Sequence, residues 1–512
     1  MRWSAFLLGA LLLFTAGCGG GDSKNSKSSG EETFVYAIVA DARVLDPQMS
    51  TDASSSNAVA RRVYETLIVL DKDNNIVPAL ATEWKQVDPL TWEFTLRTDV
   101  KFHDGTDFDA NAVKASLDRL LDPEAKRNRR SILRPIKEVN VLSADKIQIV
   151  TEAPFAPLLL HLTHACASIM SPKAIEEDAA GTSELATNPV GTGPFKFESW
   201  TKGDNITYSR FDEYWGEKAK VAKLVVKIVP EDSTRIAMVK TGEAQAADQV
   251  PLTDIERINK DDAMKLVRTS MYRTEFIAFN TEKAPFNDPK VRLAIAEAID
   301  FKALISGVYQ NVGTQEVSFM GPAVFGHNPN LVPYSFDVEN AKKLLAEAGY
   351  PEGFKATLYV PDRKIRITLA EVIQAQLRPL GIDIQIITLE QGTYFNETEA
   401  GKHDICIDGW SNQTGDADFS LTPTLTPGGI ASGQNIARYD NPQVTALLDQ
   451  ARVEIDPEKR KVLYYEAQEI IRNDAPILVT QATEQIDVVG KNVNGFWVTP
   501  GGVVVLGEVS ID

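Results

Sequence analysis

The sequence predicts an α/β fold, on three observations. Strand-like and helix-like stretches alternate along the whole chain. In the second half the order helix, Gly, strand recurs, which is the pattern of layered helices on a mixed sheet. No fixed-period repeat is present that would point to a solenoid or propeller.

The elements follow from local chemistry. Thr91-Trp92-Glu93-Phe94-Thr95-Leu96 alternates apolar and polar, as a half-buried strand does. It runs into Lys101-Phe102-His103-Asp104-Gly105, where Asp-Gly marks a turn. Asp109 to Leu121 carries Val113, Leu117, Leu120 and Leu121 at helical spacing. Lys223 to Val229 reads as a buried strand, and Asp232 to Lys240 as a helix stopped by Gly242. Asp288 to Val308 reads as one long amphipathic helix, and Asp337 to Ala348 as another that ends at Gly349. Leu369 to Leu380 is a third, followed by Gly381 and the strand Ile382 to Ile387. Pro457 to Arg472 is a fourth.

The first 30 residues differ from the rest. Arg2, an apolar run from Ala5 to Phe14 and the small residues Thr15-Ala16-Gly17 before Cys18 form a secretory signal. The run is shorter than the roughly 20 residues that span a bilayer. Ala16-Gly17-Cys18 resembles the lipoprotein signal of bacteria, in which the cysteine is lipidated and becomes the first residue; Thr15 stands where Leu is usual. Residues 19–30, GGGDSKNSKSSG, offer no apolar side chain to bury and are expected to be a flexible tether. The expectation is an extracytoplasmic protein held to a membrane through Cys18, in the periplasm or at the cell surface.

Removal of residues 1–17 from a chain of 512 leaves 495, enough for two to four domains. Net charge is −18, and falls to −19 once the single Arg of residues 1–17 is removed. That balance argues against nucleic acid, which requires a basic footprint. Besides Cys18 the cysteines are Cys166 and Cys406, expected as two buried free thiols. Neither a Gly-x-Ser-x-Gly elbow nor an HExxH motif occurs, and the five His are scattered, so the residues do not point to an enzyme. His161-Leu162-Thr163-His164-Ala165-Cys166 places two His on one helix face, but lacks the further ligands a metal site needs. No metal or cofactor is expected.

Several stretches carry a resemblance. They are Val44-Leu45-Asp46-Pro47, Val63-Tyr64-Glu65-Thr66-Leu67, the run from Val77 to Trp84, and that from Val100 to Gly105. Pro189-Val190-Gly191-Thr192-Gly193-Pro194-Phe195, Phe279-Asn280-Thr281, Val291 to Asp300 and Ala341 to Gly349 continue the series. In this order they resemble the large peptide/nickel-type solute-binding proteins of ABC importers, family 5. The resemblance implies a two-lobed periplasmic-binding-protein fold (class II, large peptide-binding type) with an extra subdomain on the first lobe. By analogy the first lobe takes 31–70, 187–275 and 480–512, the grafted subdomain 71–186 and the second lobe 276–479. It also implies an ABC permease and ATPase subunits as partners, and the binder itself is expected to be a monomer. Gly191-Thr192-Gly193-Pro194 suits a chain crossing between lobes.

In dipeptide- and oligopeptide-binding members a strand ends at the equivalent of Gly409-Trp410, and an Asp three residues after the Trp grips the ligand ammonium. Here that position is Gln413, and a neutral amide does not give a charge-assisted contact. Gly-Trp-Ser-x-x-Thr-Gly-acid-Ala-Asp resembles instead the glutathione-binding members, as do Asn492 to Trp497 and Gly321 to Gly326. On that resemblance Asp416 or Asp418 meets the ligand amine, Trp410 walls the cleft, and Gly409-Trp410 offers a strand edge to the ligand backbone. Arg363, with Arg366 as second candidate, takes a ligand carboxylate, and Arg43 and Arg273 are further cations. The expected ligand is a small peptide-like solute such as glutathione. A metal chelate, haem, an opine or an oligosaccharide are the other ligands the family spans.

Overall fold

The computed structural model describes residues 32–125 and 127–512. The expected signal segment, Cys18 and the tether lie outside the described residues.

Apolar patterning and caps set the elements much as anticipated. In the helix Ala110–Leu121, Asp109 accepts from the amides of Asn111 and Ala112 at 2.9 and 3.1 Å, and Val113, Leu117 and Leu120 turn inward. Each such burial contributes about 2 kcal/mol. The helix Asp232–Thr241 ends at Gly242, whose φ of 79° is the left-handed conformation a Cβ disfavours. One expectation is corrected. Residues 288–308 form two helices, Pro289–Ala298 and Phe301–Gly307. Ile299 is extended, and the Asp300 carboxylate accepts from the Ala303 amide at 3.0 Å, capping a new helix where the first was expected to continue.

A ten-stranded sheet runs through the molecule. Its strands lie in the order Asp383–Leu389, Lys355–Pro361, Ile405–Ser411, Met264–Phe279, Ile477–Gly490, Ala246–Ala247, Thr33–Ile38, Lys223–Ile228, Asn205–Arg210 and Phe195–Thr201. The sheet is mixed: Thr33–Ile38 is parallel to Lys223–Ile228, while the long central pair is antiparallel. One half packs around Phe34, Tyr64, Phe195 and Leu224, the other around Phe279, Leu358, Leu369 and Ile407. Met264–Phe279 and Ile477–Gly490 belong to both halves and carry the chain from one lobe to the other.

The ladder of this crossing pair is interrupted. Ser270 pairs with Glu484 but Thr274 with Ala482, so the first strand holds extra residues, Met271 to Arg273, opposite Thr483. A bulge of this kind bends the strand and re-aims its side chains. Here it turns Tyr272 and Arg273 into the space between the lobes.

A separate four-stranded sheet, Ala81–Asp88, Thr91–Leu96, Lys146–Thr151 and Ile136–Ser143, packs the helix Ala110–Leu121 against Phe94, Ile147 and Ile149. This subdomain reaches the second lobe. The Ala156 amide donates to Arg452 O at 2.8 Å, and Phe419 packs against the subdomain core beside His161. Cys166 and Cys406 are buried free thiols in different cores.

The glycines of Gly191-Thr192-Gly193 serve close packing rather than a lobe crossing. A Cβ on Gly191 would lie 2.1 Å from Val63 O, and one on Gly193 2.3 Å from Arg62 O. The segment is clamped from both sides. Gly193 N donates to Val63 O, and His103 N donates to Gly191 O, both at 2.9 Å. His103 Nε2 donates to Gly193 O at 2.8 Å, and burial holds its pKa down to about 4. The His-Asp pair of the 101–105 turn is thus part of the scaffold.

Candidate functional site

A cavity of about 560 Å³ lies between the lobes, within the range of small-molecule sites. The first lobe contributes the segment after the helix Ala53–Val59, the strand bulge contributes Tyr272 and Arg273, and the loop after the strand Ile405–Ser411 contributes Asn412 to Thr414. The subdomain adds Arg129 and Thr163 to Ala165.

The charges facing this cleft are unequal in availability. Its carboxylates are already engaged. Asp52 caps its helix and accepts from the Ser55 hydroxyl at 2.9 Å. Glu65 accepts from Thr192 Oγ1, Tyr214 OH and Trp215 Nε1 at 2.7 to 2.9 Å. Asp248 accepts from Val39 N at 2.9 Å and faces Arg235, and Glu484 pairs with Arg268 at 2.6 Å. Burial raises the pKa of Glu65 and pushes that of Asp248 up to about 6. Four arginines, Arg61, Arg62, Arg129 and Arg273, line the same space. Of these Arg273 pairs with a carboxylate, Glu275, at 2.6 Å. Arg61 donates to Leu70 O at 2.9 Å and lies 5.1 Å over the Trp497 ring. Arg129 donates to Ser50 O at 2.6 Å and to Gln413 Oε1 at 2.5 Å. Burial lowers the pKa of Arg61, Arg62 and Arg129, the direction expected of guanidinium groups short of counter-charge. Four carboxylates and four arginines thus line the cleft, and among the described residues Arg61, Arg62 and Arg129 form no ion pair.

The residues picked out from sequence divide between this cleft and a smaller cavity of about 300 Å³ in the second lobe. Arg273 lines both. Gly409, Trp410 and Arg363 line the smaller one. A Cβ on Gly409 would sit 2.2 Å from Arg273 Nη2, so the strand backbone lies directly beneath that guanidinium. Trp410 is half-buried against Phe419, and among the described residues its buried Nε1 has no partner. Arg363 is exposed at the start of the helix Lys364–Leu377. Arg366 is buried and spent on Glu275 and Asp408, at 2.8 and 3.1 Å.

Three candidates are placed elsewhere. Asp416 is fully buried, caps the helix Ala417–Leu425 and binds both Nη atoms of Arg460 at 2.7 Å, so no oxygen is free for a ligand amine. Asp418 accepts from Thr422 Oγ1 at 2.7 Å and pairs with Arg452 at 3.1 Å, outside both cavities. Arg43 is exposed and lines neither cavity. Three cleft arginines were missed from sequence: Arg129, and Arg61 and Arg62, which stand directly before the Val63-Tyr64-Glu65 motif, where the doubled cation was the available signal. His161 and His164 are held by backbone, at Ile132 O and Cys166 N.

Two lobes joined by a bulged strand pair, with a charged space between them, are the arrangement of a protein that encloses a small solute. Residues 75–432 match the profile of the bacterial extracellular solute-binding proteins, family 5 Middle. The glutathione-binding protein GsiB of Salmonella paratyphi A is 32% identical over 475 residues, covering 91% of this chain and 92% of the relative. Heme-binding protein A of Haemophilus influenzae is 32% identical, covering 99% of this chain and 98% of the relative. The structure of HbpA2 from Haemophilus parasuis superposes with a TM-score of 0.87 at 31% identity, covering 94% of this chain and all of that one. This chain belongs to the family 5 bacterial extracellular solute-binding proteins, the binding components of ABC importers. Among the described residues no helix is long and apolar enough to cross a membrane.

Proposed function

We propose that this protein captures a short acidic peptide, glutathione foremost, between its lobes and delivers it to an ABC permease. The observation that carries the reading is the convergence of four arginines on a cleft whose carboxylates are all engaged. Glutathione brings two carboxylates, and guanidinium groups pair with carboxylates through a planar fork. The relative GsiB is named for the same ligand. The strand Ile405–Ser411 adds support at its end alone: Ile407 O accepts from Tyr394 OH and Gly409 N donates to Asp408 Oδ1, both at 2.8 Å, while Gly409 and Trp410 line the smaller cavity, where a peptide backbone can be met. Calorimetry with glutathione, dipeptides and tripeptides tests the reading: heat with glutathione supports it, and binding of free dipeptides without glutathione overturns it.

Haem is the second reading, favoured by the 32% identity to Heme-binding protein A along nearly the full chain. A saturable Soret shift on titration with haemin that excess glutathione leaves unchanged selects it. Lipidation at Cys18 is proposed from the Ala16-Gly17-Cys18 motif and the polar residues 19–30. It keeps a monomeric binder beside its permease. Mass spectrometry of the N-terminal peptide from membranes tests it, and an unmodified Cys18 overturns it.

A further inference from the structure

We propose that Arg129, His164 and Gln413 form a subsite for a solute carboxylate where the grafted subdomain meets the second lobe. The inference deepens the peptide reading and rests on it for the choice of solute.

All three side chains line the cleft between the lobes, and each is partly exposed. Arg129 is held at two points: Nε donates to Ser50 O at 2.6 Å, and Nη1 to Gln413 Oε1 at 2.5 Å. Its Nη2 is left open to solvent, and among the described residues it has no partner. The same contact orients Gln413. Its Oε1 faces the guanidinium, so the Nε2 amide is the atom left over, and that too is accessible and unpartnered among the described residues.

His164 supplies a third donor. Its Nδ1 accepts from Cys166 N at 3.1 Å, so the single proton of the neutral ring stands on Nε2. Desolvation of the ring, with the Arg129 charge beside it, holds the pKa down to about 3, so the ring stays neutral. Among the described residues its Nε2 has no partner and is not closed off from solvent.

No acceptor of the chain is free to meet these groups. The carboxylate that acts on Arg129, Asp52, accepts from Ser55 N and Ser55 Oγ at 2.8 and 2.9 Å and forms no ion pair with the guanidinium. The Cys166 thiol beside it is pushed up to about 12 by burial and stays protonated.

Three N–H groups and one fixed positive charge, with no free acceptor, specify an anionic oxygen ligand. An ammonium would bring donors to donors and a like charge to Arg129. The resemblance to dipeptide binders puts a carboxylate at position 413, facing an ammonium; here the sign of the site is reversed. Arg129 and His164 belong to the subdomain and Gln413 to the second lobe, so a carboxylate bound here bridges the two. One solute group thereby selects the ligand and holds the cleft shut.

The test titrates wild type, Arg129→Met and Gln413→Glu with glutathione and with its two mono-amides, one at each carboxyl. Arg129→Met is expected to weaken glutathione by about tenfold to a hundredfold, the worth of a charge-assisted hydrogen bond. The amide lacking the carboxylate that sits here is expected to bind wild type and Arg129→Met within about twofold of each other. No loss, or the same loss for glutathione and both amides, overturns the proposal. Gln413→Glu gives Arg129 a carboxylate of the chain's own. It is expected to raise the unliganded melting temperature and to weaken glutathione, a combination that a merely structural role does not produce. Tighter glutathione binding by Gln413→Glu overturns the proposal, because the ammonium then occupies the site. His164→Phe loses a neutral donor and is expected to weaken glutathione by about fivefold; unchanged affinity overturns the part given to His164. If Arg129→Met does not fold, Arg129→Lys decides by the same titrations, with a smaller loss and the same indifference to one amide. If wild type gives no heat with glutathione, the glutathione reading falls separately, and glutarate against glutaramide in thermal shift decides the subsite. Stabilisation of wild type by glutarate alone, lost in Arg129→Met, supports it; an equal response of wild type and variant, or none, overturns it.

Discussion

Arg129 donates from Nη1 to Gln413 Oε1 at 2.5 Å, so the grafted subdomain holds the second lobe across the mouth of the cleft. Gln413 is the position at which the resemblance to dipeptide binders places a ligand-gripping Asp. In this structure its amide oxygen faces a guanidinium of the protein itself. A second contact acts alongside it, from Asn74 Nδ2 to Ala323 O at 2.5 Å.

Gln413→Ala is expected to loosen closure and Gln413→Glu to tighten it, because a hydrogen bond to a charged acceptor contributes about 1.5–3 kcal/mol against about 1 for a neutral one. The radius of gyration of the unliganded protein by small-angle scattering should rise in the first variant and not in the second. Equal radii in both would remove the latch.

Asp416 and Arg460 form a buried two-pronged pair that Tyr464 OH joins at 3.1 Å from Asp416. Asp416→Ala leaves Arg460 buried without its anion and is expected to cost about 3–5 kcal/mol in urea unfolding. Glutathione affinity at temperatures where the variant is folded should stay within twofold of wild type. A large loss of affinity at unchanged stability would return Asp416 to the binding site.

Asp487 is fully buried, and its carboxylate is met by the Gln485 amide, at 3.0 and 3.2 Å, and by the Gln249 backbone amide. Burial, with Asp248 nearby, pushes its pKa up to about 8. An unfolded Asp titrates near 4, at about 3.9. The folded protein therefore keeps a proton that the unfolded chain has released. The stability this group supplies is full below about pH 4 and is lost as pH rises through about 8. Asp487→Asn mimics the protonated form. Its melting temperature should exceed that of wild type by a margin that widens from pH 5 to pH 9; a constant margin would contradict the assignment.

Gly193→Ala would press a Cβ to within 2.3 Å of Arg62 O, where the backbone on both sides is hydrogen-bonded. Such overpacking is expected to cost about 2–3 kcal/mol. Gly307→Ala, at a helical site with nothing within 4 Å of the new Cβ, serves as the control and is expected to stabilise by about 0.5–1 kcal/mol. Denaturant midpoints of the two variants moving the same way would show that crowding is not the cause.

What the sequence disclosed depended on how local the determining contact was. The Asp109 cap, the stop at Gly242 and the strand at Thr91 each rest on neighbours within a few positions, and each was legible. The break at Ile299-Asp300 was not, because apolar spacing continues across it and only the Asp300 cap, accepting from the Ala303 amide, reveals the new helix. Asp416 looked like a ligand contact because its partner, Arg460, stands 44 positions away. Arg62 shows the converse. It is buried with no ion pair among the described residues, and no spacing rule reports a missing counter-ion.

The extra residues at Met271 to Arg273 make the crossing strands stiff in one direction and compliant in another. The regular ladder from Met264 to Ser270 resists sliding of one lobe past the other, whereas the stretch interrupted at Met271 to Arg273, and again between Glu275 and Phe276, has fewer bonds to oppose rotation. It acts as a fulcrum. Because Tyr272 and Arg273 sit on that fulcrum and also face the solute space, a substitution there alters mechanical compliance and solute grip together.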